Sequence, residues 1–168
     1  MFKLLIIKEY QRLKEIETNE YNLEWNVKRI LSKANYHIHT DAIKNHIIPH
    51  SDNTTETEWL VYAEEADILN VALFGCTAKQ WRDANPEHAE KKLNIRDFAS
   101  INELAVLSNL ESMNAEMINN KIDSKERFNK LRQIAQYQSK ILNEKDFMKA
   151  LKRQSEISYI KEQKRLDK

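Results

Sequence analysis

Apolar residues recur along this chain at steps of three and four, the repeat of one face of an α-helix. The pattern is densest between Glu56 and Gly75. There Trp59, Tyr62, Ala63, Ala66, Leu69 and Leu73 form one face, and Leu60, Ile68, Val71 and Phe74 form a second. A helix that is apolar on two sides has to be enclosed by other elements. The segment is therefore expected to be the central buried helix of the fold.

On either side of it the pattern predicts further helices. Phe2, Leu5, Ile6, Leu13 and Ile16 make one stripe up to about Thr18. Leu23, Val27, Ile30, Leu31, Ala34 and Ile38 continue at the helical step. That run extends to about Ile48, where Pro49 ends it, or else Asn35 to Thr40 turns and Asp41 caps a short helix. The polar stretch from His50 to Thr55 reads as a linker. Gly75 suits a left-handed helix end, and Thr77 opens a short helix through Trp81 to Ala84. A buried strand over Asn70 to Phe74 is the alternative for that apolar run. Asn85-Pro86 begins an irregular connection to about Arg96. Ser100 and Glu103 have capping-box spacing and open a helix to about Asn119, with Leu104, Leu107, Leu110, Asn114 and Met117 on one stripe. Asp123 or Ser124 caps the next helix, faced by Phe128, Leu131, Ile134, Ala135, Ile141 and Leu142. A last helix starts near Lys145.

Composition strengthens this reading. One Gly and two Pro in 168 residues leave too few turn residues for a sheet-rich fold. The expectation is an all-α, irregular bundle of about six or seven helices forming a single domain. It has long N-terminal helices over 1–49, a helical core over 56–142 and a basic C-terminal helix over 143–168. One cysteine excludes an intramolecular disulfide and fits a reducing, cytoplasmic setting. No stretch is apolar enough to cross a bilayer.

Charge is unevenly spread. Residues 125–168 hold thirteen basic and six acidic side chains, whereas 1–124 hold fourteen basic and twenty acidic. Within the tail Lys145, Lys149, Lys152 and Arg153 line up, the kind of row that neutralises a nucleic-acid backbone. The plainer reading is a basic helix lying on an acidic body. Four histidines fall between positions 37 and 50. His37 and His39 diverge on a helix, and Pro49 interrupts the i, i+4 pair His46 and His50, so no metal site is expected. Glu64, Glu65 and Asp67 interrupt the apolar helix, and such carboxylates could serve acid–base chemistry. A solvent-facing or ion-paired strip is the plainer account. Trp25, Trp59 and Trp81 read as core area rather than ligand platforms. The single Gly excludes phosphate-cradling loops, and no nucleophile elbow is present. No catalytic, cofactor or metal residue is assigned.

Two runs, over 4–49 and 58–118, carry a family resemblance. The first contains NLEWNVKRILSKANYHIHTDAIKNHIIP, the second the words TAKQWRDANPE and LSNLESMNAE. Over positions 2 to 142 the chain resembles the region that follows the KilA-N domain in KilA-N domain-containing proteins of bacteria, phages and mobile elements. In that family DNA binding is attributed to the KilA-N domain, a small mixed α/β module that would precede Met1. No DNA-contacting residue is therefore carried over, and DNA would be reached through that absent domain. The resemblance implies a non-enzymatic accessory module serving oligomerisation or contact with another protein. Direct nucleic-acid binding through the tail is the alternative, and a helical enzyme or toxin-like effector the third.

Overall fold

The computed structural model describes residues 35–144, with isolated positions between 14 and 33. The helix expected over Phe2 to Thr18, Trp25 and the last helix from Lys145 lie outside the described residues. The described chain is all-α. Its helices are α1 (Tyr36–His46), α2 (Glu58–Phe74), α3 (Ala78–Ala84), α4 (Pro86–Glu90), α5 (Ile95–Phe98), α6 (Ile101–Asn119) and α7 (Ser124–Asn143), with a 3₁₀ turn at Ile48–His50. No strand occurs among the described residues, so the apolar run at 70–74 is helical.

Side chains close the helix ends. Thr77 with Gln80, Asn94 with Asp97, and Ser100 with Glu103 each form a capping box, opening α3, α5 and α6. Asp123, rather than Ser124, caps α7 by accepting from the Lys125 and Glu126 amides. Gly75 ends α2 at φ 78, where its amide donates to the Val71 carbonyl. Lys121 takes the same role after α6 at φ 57, although it carries a Cβ. The Lys121 amide donates to Ile118 and the Ile122 amide to Met117, the paired bonds of a Schellman end.

Three expectations change. Residues 85–98 are not irregular: Pro86 starts α4 and Asn94 caps α5, both local signals. Asn35 to Thr40 is not a turn. Asn35 stands at the start of α1, and its side-chain amide donates to the Ser108 carbonyl (2.7 Å) and hydroxyl (2.9 Å) of α6. Finally, α6 is the more enclosed helix. It buries nine residues, while α2 buries five and leaves Trp59 64 % exposed. Both apolar faces of α2 are only partly covered, Trp59 and Ala63 being exposed on the first and Leu60 on the second.

The long helices pack in three layers. Leu69, Leu104, Leu107, Leu110, Leu131 and Ala135 anchor one apolar cluster. Ala42, Ile43, Val61, Ala115 and Ile118 form the other. Between them along α2 lies Glu65, and along α6 Asn114, each four residues from an apolar neighbour in either cluster. Sequence order therefore sets direction: α2 runs from the second cluster to the first, and α6 runs the opposite way. The short helices α3 to α5 carry the chain from one to the other.

Candidate functional site: a buried polar layer beside a basic cleft

Four long helices each place one polar residue in the middle layer: His39 from α1, Glu65 from α2, Asn114 from α6 and Arg127 from α7. All four are buried. Glu65 and Arg127 meet as a bidentate pair, Arg127 Nη1 donating to Oε2 at 2.6 Å and Nη2 to Oε1 at 2.7 Å. Arg127 Nη1 also donates to Asn114 Oδ1 (2.7 Å), and Nε donates to the Ile122 carbonyl (3.1 Å). Asn114 Nδ2 lies 2.8 Å from His39 Nε2 and donates to Glu65 Oε2 at 3.3 Å.

Burial drives the His39 pKa down to about 4, against a smaller upward pull from Glu65. The ring is thus neutral near pH 7, which makes Nε2 the acceptor for Asn114 and assigns its proton to Nδ1. Every member of the layer then has a compatible partner. A network that ties this many buried groups together fixes one arrangement of four helices, because any slip would strand a buried charge.

A second buried pair lies closer to the short helices. Arg96 of α5 donates from Nη1 to Glu111 Oε1 of α6 at 3.0 Å, with Glu111 buried and Arg96 22 % exposed at its side chain. Burial raises the Glu111 pKa, with Arg96 pulling it back.

Arg127 also borders a cleft of about 230 Å³. Its other walls are His46 and Ile47 from the end of α1, His50 of the 3₁₀ turn, Ile118 of α6, and Lys121 and Ile122 of the α6–α7 connection. Among the described residues no carboxylate lines it. His46, His50 and Lys121 stand exposed at the rim, while Ile118 and Arg127 are buried.

The residues singled out by sequence are scattered. Of the histidines, His37 faces solvent, His39 joins the polar layer, and His46 and His50 share the cleft. The 3₁₀ turn at Pro49 does not separate the last two. No group of three or more His, Cys, Asp or Glu side chains is placed to share a metal among the described residues. Glu64 is exposed, and Asp67 accepts from the Ala78 amide at 2.7 Å, fixing the corner between α2 and α3. Trp81 is half-buried, packed with His88 and Phe98. Trp59 is not core. It stands on the outer side of α2, with half-buried Tyr62 and exposed Ala63 along the same strip. The Tyr62 pKa is raised by burial, then by Glu58, Tyr36 and Asp41. Lys145, Lys149, Lys152 and Arg153 lie outside the described residues.

Sequence reading passed over Asn114 and Arg127 as site residues. Their signal was a polar residue within or at the head of an i, i+4 apolar ladder: Leu110–Asn114–Ile118 and Arg127–Leu131–Ala135, as for Glu65 in Val61–Glu65–Leu69. Among the described residues no helix is long and apolar enough to cross a membrane. No protein-family model, curated protein or solved structure matches the chain.

Proposed function

We propose that this chain is a non-catalytic helical module that acts by protein contact, self-association included, in the setting of a KilA-N-type DNA-binding protein of a phage or mobile element. The observation that carries this reading is the apolar strip on α2. Trp59 is 64 % exposed, and Leu60 and Ala63 are exposed beside it. Surface aromatics next to a small residue let a partner helix approach closely, and such patches mark contact surfaces. The buried acids support the non-catalytic part, because Glu65 and Glu111 are each occupied by an internal arginine. The KilA-N setting rests on the resemblance of 2–142 alone.

Light scattering coupled to size exclusion tests it. A concentration-dependent dimer that becomes monomeric in Trp59→Lys is the expected result. A strict monomer that also recovers no partner protein from its host overturns it.

A second reading has its own observation, the basic excess of residues 125–168. On α7 it includes exposed Lys125, Lys130, Arg132 and Lys140. Nucleic-acid binding through Lys145, Lys149, Lys152 and Arg153 would appear as a salt-dependent mobility shift that is lost when those four become Glu. No shift at low salt disposes of it.

A further inference from the structure

We propose that the cleft between α1, the 3₁₀ turn and the α6–α7 connection binds a small organic oxyanion, a phosphate monoester or carboxylate carried on a compact apolar body. Charge and shape agree on this. His46, His50 and Lys121 surround the rim, Ile47, Ile118 and Ile122 supply apolar wall, and among the described residues no acidic side chain lines the space. Its volume of about 230 Å³ lies below the usual range for drug-sized pockets, so the ligand is small.

The buried guanidinium gives an independent pointer. Arg127 has five N–H donors, and four of them are spent on Glu65, Asn114 and the Ile122 carbonyl. The fifth, on Nη2, has no partner among the described residues. In a planar guanidinium whose two Nη groups grip a carboxylate end-on, the remaining Nη2 hydrogen runs parallel to the Nε hydrogen. Here the Nε hydrogen points to the Ile122 carbonyl, and Ile122 and Arg127 both line the cleft. A buried donor left without an acceptor is costly, and an anionic oxygen is its best partner.

The conformation of Lys121 is not itself a pointer, since Lys92 holds φ 59 away from the cleft. The position after α6 needs φ 57, which glycine adopts freely and a lysine does not. Glycine there would relieve strain.

Lys121 also supplies the test, because Lys121→Gly removes the charge while favouring the backbone. Phenyl phosphate, benzoate and inorganic phosphate are titrated by calorimetry into the full chain, into Lys121→Gly and into His46→Gln/His50→Gln. Phenyl phosphate or benzoate is expected to bind more tightly than inorganic phosphate, through the isoleucine wall. Lys121→Gly should melt no lower than the parent yet lose about tenfold in affinity, the value of one charge-assisted contact. The double histidine variant should weaken binding as well. Absence of binding by all three probes overturns the proposal. So does equal affinity for inorganic and organic phosphate, or unchanged affinity in Lys121→Gly.

Discussion

Two arginine–glutamate pairs lie inside this protein, and they are built differently. Glu65 accepts three hydrogen bonds, two from Arg127 and one from Asn114, and both pair members are buried. Glu111 accepts one from Arg96, whose side chain keeps some contact with water. The first pair joins α2 to α7 with α1 and α6 drawn in through His39 and Asn114. The second ties a four-residue helix to α6. Burial alone does not make an ion pair a structural keystone: the number of satisfied partners and the number of helices they join decide it.

The harshest way to break that contrast is to remove Arg127. Arg127→Met leaves Glu65, Asn114 Oδ1 and the Ile122 carbonyl without their donor in a dry layer. Breaking a buried pair from one side destabilises by roughly 3–5 kcal/mol, enough to unfold a marginal domain. Urea denaturation followed by circular dichroism measures it. Replacing the pair together, as Glu65→Leu with Arg127→Met, should recover most of that loss, since no charge is then stranded. A double variant as unstable as the single would show that the layer is held by packing around Arg127 and not by its charge.

The next effect is a pH dependence confined to the first pair's layer. His39 titrates at about 4 when folded, against 6.5 as an unperturbed histidine. The unfolded chain therefore binds more protons between those values, and stability rises with pH across that window. It is complete above about 6.5 and falls by about 3 kcal/mol as the solution is acidified toward pH 4, at about 1.4 kcal/mol per unit. His39→Gln keeps an acceptor for Asn114 without a titrating ring. Its stability curve should be flatter by that amount between pH 6.5 and 4. Parallel curves for parent and variant would contradict the buried, neutral imidazole.

These two expectations rest on residues of unequal legibility. The caps at Thr77 and Ser100 were plain, and the cap of α7 was narrowed to Asp123 or Ser124, because each depends on neighbours within three positions. The apolar faces of α6 and α7 were plain for the same reason. The short helices α4 and α5 carried equally local signals, Pro86 and the Asn94–Asp97 box, which a charged and polar stretch obscured. Trp59 was misplaced because periodicity tells that a face is apolar, not whether anything covers it. The polar layer was hidden more deeply. Glu65 and Arg127 are 62 positions apart and His39 and Asn114 are 75 apart. Nothing local distinguishes a glutamate that meets an arginine across the core from one that faces water. Only its place in the ladder Val61–Glu65–Leu69 hints at burial, and its partner becomes known once the helices are assembled.

The smallest effect belongs to the second pair, and its pH dependence should run the other way. Removing Arg96 as Arg96→Met strands one acceptor, partly within reach of water, so the loss at neutral pH should be about 1–3 kcal/mol. Glu111 also has an exit. Burial already raises its pKa, and without the Arg96 charge that rise must grow. A carboxyl whose folded pKa lies above its unfolded value makes the folded state the better proton binder. Stability then falls as pH climbs from the ordinary glutamate value through the folded one. The deficit of Arg96→Met should accordingly be smaller at pH 5 than at pH 8, whereas His39 makes the parent weaker at the acid end. Melting temperatures of parent and variant at those two pH values decide the matter. A deficit larger at pH 5 would mean that Glu111 is not the group left stranded, and the contrast between the two pairs would fail.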